Sequence, residues 1–182
     1  MRHAALPVLV LLTACALPGA ARADRQMDPE LRGVLAEVIH PTECFEDRYA
    51  RAVWFAAMDP RLSRYVKDSK EREQILHHVH CEAKRVDVPP ELVLAVMDVE
   101  SRFDRYAVSS AGAVGLMQVM PFWPRELGMS NEQLIRIGDN VRMGTTILSY
   151  YLRKERGNYQ RALQRYNGSL GRPTYSDLVI DR

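Results

Sequence analysis

The sequence predicts an all-α fold, and two observations carry that prediction. Apolar residues recur with helical spacing through most of the chain. No stretch shows the alternation of apolar and polar residues that marks a half-buried strand. The chain has 182 residues, of which 47% are hydrophobic, and this is enough for one domain with an ordinary core. Because no internal repeat or low-complexity linker divides it, we expect a single helical unit.

Proline and glycine positions set the limits of the predicted helices. Pro89-Pro90 fits a helix start, where a missing N–H does no harm. Pro121 and Pro124 limit a short helical turn, and the Gly and Pro content of residues 168–182 argues against another long helix. The predicted helices cover residues 29–39, 42–58, 69–86, 89–101 and 139–156, with a loop over 103–114, a helical turn over 115–120 and a last amphipathic face at Tyr159, Ala162, Leu163 and Tyr166.

The first 23 residues have the pattern of a secretory signal peptide. A short basic head with Arg2 precedes an apolar stretch over 6–17, which is too short to cross a membrane. Residues 21–23 (Ala-Arg-Ala) have the small-x-small pattern of a cleavage site. Cleavage after Ala23 predicts a mature periplasmic protein without a transmembrane span. The sequence Leu-Thr-Ala-Cys ending at Cys15 leaves an alternative open, a lipoprotein anchored to a membrane through that cysteine.

Signal cleavage also changes the charge of the protein. The whole chain has 25 basic and 23 acidic residues, a formal net charge of +2. Residues 1–23 contain Arg2 and Arg22 and no acid, so their removal leaves 23 of each sign and a neutral mature chain. A neutral chain gives no support to a nucleic-acid partner.

The cysteine count fits an oxidising compartment once the signal is removed. Cleavage removes Cys15 and leaves Cys44 and Cys81 as a pair. Cys81 points away from the apolar face of the predicted helix 69–86, toward the side that the preceding residues can cover. We predict a Cys44–Cys81 disulfide, which stabilises the fold by about 4 kcal/mol in the chain-entropy model.

A glutamate ends the most apolar of the predicted helices. From Leu92 to Val99 only Asp98 is polar, and Glu100 and Ser101 follow. Apolar surroundings and the negative end of a helix both favour a protonated carboxyl group. A neutral acid near pH 7 is what protonation of a glycosidic oxygen requires. A solvated glutamate just past a helix end is the alternative that the spacing leaves open.

Two further stretches give this glutamate a context. The chain reads GLMQVMP over Gly115–Pro121 and RYNGS over Arg165–Ser169. With the Glu100-Ser101 pair, and in the same order and spacing, these resemble the three sequence blocks of SLT-type lytic transglycosylases. The resemblance covers roughly residues 71–181 and implies the all-α fold of goose-type lysozyme, with peptidoglycan glycan strands as the partner and no cofactor.

The resemblance divides the chain into three parts. Residues 1–23 are the signal peptide, 24–70 a helical N-terminal extension, and 71–182 the catalytic domain. The extension is too short to be trusted as a separate domain. We expect its aromatic residues to pack on the catalytic domain, namely Phe45, Tyr49, Trp54, Phe55 and Tyr65.

The implied reaction is cleavage of the β-1,4 bond between N-acetylmuramic acid and N-acetylglucosamine without water. Glu100 protonates the leaving oxygen and then accepts the proton of the muramyl 6-hydroxyl, which attacks the anomeric carbon and leaves a 1,6-anhydro end. Hydrolysis generally needs a second carboxylate. Asp98 projects to another side of the helix, and turn formation accounts for Asp104. The alternatives are a hydrolytic, lysozyme-like muramidase, with Asp104 as its first candidate base, and a wall-binding component of a secretion assembly.

Substrate-binding roles follow from the same resemblance. Met117 forms an apolar wall of the saccharide cleft and Gln118 a polar contact, although Met117 by spacing alone is a core residue. Asn167 holds an acetamido or hydroxyl group of the sugar. The substrate-binding set implied by the resemblance is Ser101, Met117, Gln118, Tyr166, Asn167 and Tyr175.

Two tyrosines are expected beside the acid. Tyr166 hydrogen-bonds near it, or is simply a core aromatic on its helix, and Tyr175 contacts the glutamate. Family members usually have alanine where this chain has Arg165, a departure that leaves Tyr166 in place.

A histidine-rich segment raises the question of a metal site. His77 and Cys81 are four residues apart on a predicted helix, a spacing compatible with shared ligation, and His78 and His80 lie between them. No second ligand cluster accompanies them in the sequence. We therefore expect a solvated helix face and no metal.

Overall fold

The computed structural model describes residues 29–36, 44–45, 48–126 and 130–182. The predicted signal peptide, its cleavage site and Cys15 lie outside these residues. Within them the fold is helical, without strands, and the extended backbone is limited to isolated bridges of Val114 with Val108 and Val119. The all-α prediction is confirmed.

Eight α-helices and one 3-10 helix follow one another in the described chain. The 3-10 helix, Asn131–Ile135, directly precedes the sixth α-helix and was not predicted, nor was α5. The α-helices are α1 Pro29–Ala36, α2 Arg48–Leu62, α3 Ser69–Arg85, α4 Pro90–Ser101, α5 Phe122–Glu126, α6 Ile137–Lys154, α7 Tyr159–Asn167 and α8 Thr174–Ile180.

Helix α2 differs most from its prediction over 42–58. Cys44 and Phe45 are not helical, and the helix begins at Arg48. It also runs through Pro60 to Leu62, beyond the predicted end. Leu62 is 1% exposed, so burial of its side chain stabilises a last turn that proline by itself disfavours.

A ring of five helices positions the core. Helix α3 packs on α6, α6 on α7, α7 on α8, α8 on α4, and α4 on α3. Helix α6 is the most deeply buried of these, since Val141 and every residue from Met143 to Tyr150 is buried. The ring brings the end of α4, which carries Glu100, next to α8, which carries Tyr175.

A buried ionic group joins α3 to α6. The Glu82 side chain is 3% exposed, and its two carboxylate oxygens accept from Arg85 Nε at 2.6 Å and from Arg142 Nε at 2.8 Å. Arg85 Nη2 also donates to Thr146 Oγ1 at 2.7 Å. With both oxygens paired, the carboxylate is compensated for its loss of water.

The N-terminal extension packs mainly on α3. Trp54 is buried and donates its indole N–H to the carbonyl oxygen of Leu76 at 3.1 Å. The Phe45 ring stacks on His80 with 4.2 Å between centroids. Phe55 also packs against the core, and the Tyr65 ring lies 5.4 Å from that of Phe103. The expected packing of aromatic residues therefore holds for these four side chains, whereas Tyr49 is 66% exposed.

The predicted disulfide between Cys44 and Cys81 is confirmed. It covalently joins the extension to α3, across 37 residues of sequence. Because the Cys81 sulfur is bonded, it is no thiolate ligand for a metal beside His77. Absence of a metal from the protein stays a prediction.

Candidate active site

Glu100 lies in the last turn of α4, and the backbone turns sharply after it. Arg102 and Phe103 have φ of 50° and 63°, a left-handed conformation that is unfavourable for residues other than glycine. The Phe103 side chain is 6% exposed, and its burial helps to hold this turn. The helix therefore stops one residue after the acid and leaves the carboxyl group at the helix end.

The surroundings of Glu100 hold its proton. Burial is the main cause, and it raises the pKa of Glu100 from 4.5 to about 7. The Tyr175 hydroxyl donates to Glu100 Oε1 at 2.6 Å and acts in the opposite direction, because it stabilises the charged form. Burial and the nearby Glu100 charge in turn raise the pKa of the Tyr175 phenol well above 10, so this phenol stays a donor. The described structure thus contains an acid that titrates near neutrality.

The Gly115–Gln118 turn is hydrogen-bonded to Ser101, the residue after this acid, and to Asn140 of α6. Asn140 is 1% exposed; its Oδ1 accepts from the Met117 N–H at 2.8 Å, and its Nδ2 donates to the carbonyl oxygens of Val114 and Leu134 at 2.9 and 2.8 Å. A Cβ at Gly115, where φ is 81°, would lie 2.5 Å from the Leu134 oxygen and still closer to the Asn140 amide. Glycine is required here for space as well as for conformation.

Two side chains of the predicted site bind the carbonyl groups of this turn. Ser101 Oγ lies 2.8 Å from the Leu116 oxygen and 3.2 Å from that of Met97, so it ties the end of α4 to the turn. The Tyr166 hydroxyl donates to the Met117 oxygen at 2.7 Å. Burial first and the Glu100 charge second raise the pKa of Tyr166 well above 10, which places this phenol near the acid as the resemblance implied.

The Met117 side chain has a different place from the one expected. It is 0% exposed and packs against α6. A Cβ added to Gly144 would lie only 2.6 Å from the Cβ of Met117. Thr145 Oγ1 lies 3.6 Å from its sulfur. In this structure Met117 is therefore a core residue rather than an exposed cleft wall, because the absence of a side chain at Gly144 opens space for it.

Gln118 is part-buried beside the turn and has φ of 48°. Its amide Nε2 donates to the carbonyl oxygens of Ala107 and Gly115 at 3.1 and 3.0 Å. Its Oε1 has no hydrogen-bond partner among the described residues. That oxygen is the atom available for the polar contact that the resemblance implies.

Asn167 is exposed at the end of α7, where Gly168 follows with φ of 75° and ends the helix. It borders a groove of about 410 Å³ that Tyr175 also lines. The unusual Arg165 pairs with Glu155, which Arg161 contacts as well. Its guanidinium is thus held along α7, and the substitution leaves the tyrosine and asparagine that follow undisturbed.

The other two candidate carboxylates have partners of their own. Asp104 is exposed, and its Oδ1 accepts from the Tyr106 N–H at 2.8 Å, an Asx turn. Asp98 lies 3.4 Å from Arg182 Nε. The turn-forming explanation of Asp104 agrees with the structure.

Comparison with known proteins places the chain in a family. The family model described as the transglycosylase SLT domain matches residues 78–174, more than half of the chain. The chain belongs to this family. The matched segment contains Glu100, the Gly115–Gln118 turn and the Tyr166-Asn167 pair, and ends one residue before Tyr175.

Similar proteins carry related names. The SLT chain is 54% identical over 48 residues to a membrane-bound lytic murein transglycosylase C of Actinobacillus pleuropneumoniae, which is 26% of this chain and 13% of that protein. It is 32% identical over 118 residues to the Yersinia enterocolitica protein of the same name, covering 56% of this chain and 33% of the relative. The chain thus spans at most about a third of the length of these relatives.

A solved structure is also similar. It is that of an inactive mutant of the lytic transglycosylase Slt from Pseudomonas aeruginosa, with 26% sequence identity and a TM-score of 0.49. The match covers 73% of this chain and 25% of the other.

Sequence reasoning did not find Asn140, which hydrogen-bonds the backbone of Val114, Met117 and Leu134. The signal was available, because Asn140 lies four residues before Gly144 and eight before Leu148 on the apolar face of the predicted helix 139–156. A polar residue at such a position is either paired or costly to bury. In the structure the Asn140 side-chain amide makes three hydrogen bonds to backbone groups.

Proposed function

We propose that this SLT chain is a peptidoglycan lytic transglycosylase that cleaves the bond between N-acetylmuramic acid and N-acetylglucosamine without water. The observation that carries the proposal is the Glu100 carboxyl group, whose pKa of about 7 keeps it protonated near neutrality. It lies within the segment that matches the family. The names of the relatives, lytic murein transglycosylases, point to the same chemistry.

The proposed reaction uses Glu100 twice. Its carboxyl proton passes to the glycosidic oxygen as the bond to the anomeric carbon breaks, which releases the N-acetylglucosamine end. The resulting carboxylate, stabilised by the Tyr175 hydroxyl 2.6 Å away, accepts the proton of the muramyl 6-hydroxyl. That oxygen bonds to the anomeric carbon, closes the 1,6-anhydro ring and returns Glu100 to its protonated state.

The arrangement of carboxylates near the site favours attack by a hydroxyl group of the substrate itself. Asp104 is exposed and engaged in a turn, and Asp98 contacts Arg182. The 6-hydroxyl is tethered to the ring that it attacks, so its effective concentration is high and no general base for water is needed. We propose Ser101 and Tyr166 as the residues that position the Gly115–Gln118 turn, and Gln118 and Asn167 as sugar contacts.

The domain division and cellular location complete the proposal. Residues 71–182 form the catalytic domain, and 24–70 form an extension tethered by the disulfide. We propose a location in the cell envelope, with export as a soluble periplasmic protein after cleavage following Ala23; acylation of Cys15 is the alternative. Among the described residues, no helix is both long and apolar enough to cross a membrane.

Product analysis tests the reaction. Sacculi are digested with residues 24–182 in oxygen-18 water, and the muropeptides are analysed by mass spectrometry. We expect products one water lighter than hydrolytic ones, with no label and no new reducing end. Labelled, reducing muramyl ends as the main product would instead identify a muramidase. Intact-mass analysis of the protein from its native host distinguishes a chain that starts at Asp24 from one acylated at Cys15.

A further inference from the structure

The first turn of α6 is held from two opposite sides. Gly138 is the second residue of this helix, and Asn140 follows two positions later. Residues two apart on a helix project about 200° apart, so these two residues face opposite directions. On one side the Asn140 side chain hydrogen-bonds the backbone of Met117 and Val114. The other side, at Gly138, packs on α3.

The side chain that packs on Gly138 is His78 of α3. A Cβ added to Gly138 would lie 2.8 Å from the His78 Cε1 atom, and 3.1 and 3.3 Å from the two ring nitrogens. The glycine therefore leaves the space that the edge of this ring occupies against the backbone of α6. One helical turn farther along both helices, Glu82 accepts from Arg142 at 2.8 Å. The contact of His78 with Gly138 thus continues the line of contacts between α3 and α6.

Charged groups surround the His78 ring in a pocket of about 130 Å³, with His77 and Glu82 on α3 and Asp139 and Arg142 on α6. The His77 ring lies edge-on to it, with 5.4 Å between centroids. Burial is the main cause that lowers the pKa of His78 below its usual 6.5, and His77 and Arg142 act in the same direction. Glu82 and Asp139 act against them without outweighing them. His78 is therefore neutral at about pH 7 and takes up a proton in more acidic solution.

We infer that His78 is a positioning residue of the proposed active site, whose neutral ring holds the first turn of α6 and, through Asn140, the Gly115–Gln118 turn. The inference rests on the proposed function. Protonation makes the ring a cation beside Arg142 and beside the N-terminal end of α6, where the helix dipole is positive. Both repel the charged ring, so its contact with Gly138 weakens and the first turn of α6 loses one of its two supports. Activity should then fall in acidic solution.

This fall is distinct from the titration of Glu100. A general acid works in its protonated form, so Glu100, with a pKa of about 7, lowers the rate on the alkaline side of the profile. It stays protonated in more acidic solution. A loss of activity on the acid side therefore needs another group, and His78 is the one that the contact with α6 connects to the site.

The test compares pH–rate profiles. Initial rates of sacculus digestion are measured for the mature wild-type chain, His78→Phe and His78→Gln. Neither substituted side chain titrates; phenylalanine keeps a planar ring, and glutamine keeps a polar side chain should the larger ring not fit. His77→Gln is the matched control, since it removes the neighbouring histidine and leaves the contact of His78 with Gly138. Ionisation of the substrate affects all four proteins alike, so the ratio of their rates reports on the enzyme.

We expect kcat of the wild type to fall by about 3- to 10-fold from about pH 6.5 to about pH 5, and kcat of the two His78 variants to change by less than about 2-fold. His77→Gln should keep the acid-side fall. An equal fall in the wild type and in both His78 variants, or no fall in the wild type, would overturn the positioning role.

Nuclear magnetic resonance gives a readout that does not depend on activity. In the wild type the Asn140 side-chain amide and the Met117 backbone amide should shift with the titration of the His78 ring, and this transition should be absent from His78→Phe. The same transition in both proteins would overturn the coupling. Failure of the wild type to cleave sacculi at any pH would overturn the proposed function instead, and the amide titration would still decide whether His78 acts on the turn.

Discussion

Two glutamates withdrawn from water have opposite surroundings in this molecule. Glu82 on α3 lies between the guanidinium groups of Arg85 and Arg142, at 2.6 and 2.8 Å. Glu100 at the end of α4 accepts a hydrogen bond from one neutral hydroxyl, that of Tyr175. Burial without a cation raises the pKa of Glu100 to about 7. The difference teaches that the choice of neighbours makes one withdrawn carboxylate an ion-pair partner and lets the other keep its proton up to near-neutral pH.

The largest expected effect is the loss of activity when Glu100 is replaced. Glu100→Gln keeps the shape of the side chain but cannot act as an acid, so we expect the proposed transglycosylase activity to fall by about 100- to 10,000-fold. Sacculus digestion by the folded variant measures this. Glu91→Gln in the exposed first turn of the same helix is the control, and its activity should stay near wild type. Near-normal digestion by Glu100→Gln would remove Glu100 from the mechanism.

Replacement of Glu82 should lower the stability of the protein rather than its activity. Glu82→Gln leaves the guanidinium groups of Arg85 and Arg142 without a counter-charge in a site where they are 20% and 17% exposed. We expect the free energy of unfolding to fall by about 3–5 kcal/mol, with little change in activity per folded molecule. Urea unfolding and activity at low temperature measure the two quantities.

The exposed pair of Arg51 and Glu73 gives the matched control for Glu82. The two side chains are 47% and 57% exposed although they lie 2.6 Å apart. Glu73→Gln should change the free energy of unfolding by less than about 1 kcal/mol. Equal effects of the two substitutions would show that burial does not set the importance of the Glu82 group.

The pH dependence of stability tests the raised pKa of Glu100 directly. Between pH 4.5 and about 7 the native state holds the Glu100 proton, which the unfolded chain releases. The free energy of unfolding therefore falls as the pH rises through this window. We expect wild type to lose about 2–3 kcal/mol relative to Glu100→Gln across it. Urea titrations of both proteins at the two ends of the window measure the difference, and parallel pH curves would contradict the raised pKa.

The smallest effect concerns the hydroxyl that holds Glu100. Tyr175→Phe removes a donor that lowers the pKa of Glu100, so this pKa should rise further. The fall of kcat at alkaline pH should move to higher pH, while kcat at about pH 6 drops roughly 10-fold because the carboxylate intermediate loses a hydrogen bond. A pH–rate profile measures both. Tyr159→Phe, at an exposed tyrosine, is the control, and a profile unchanged from wild type in Tyr175→Phe would exclude this role.

The helical spacing of apolar residues and the positions of proline predicted much of the fold. Helices α3 and α4 begin and end within about one residue of their predicted limits, because Pro89-Pro90 and a continuous apolar face are local signals. The first residues of α2 were misassigned, since Cys44 and Phe45 are held by contacts with α3 that no local pattern encodes. The end of α2 was misassigned for the same reason, because it is the burial of Leu62 that extends the helix past Pro60.

The candidate site divides in the same way. The sequence by itself determined which acid ends an apolar helix and which blocks accompany it, since chemical type and spacing are local properties. Spacing on its own indicated a core position for Met117, and the tertiary structure decided between that position and the cleft wall that the resemblance implied. Only the tertiary structure showed that Asn140 hydrogen-bonds the Gly115–Gln118 turn and that Arg142 reaches Glu82 from 60 residues away. These depend on which helix faces pack together. The pKa of Glu100 is likewise set by the burial that this packing creates.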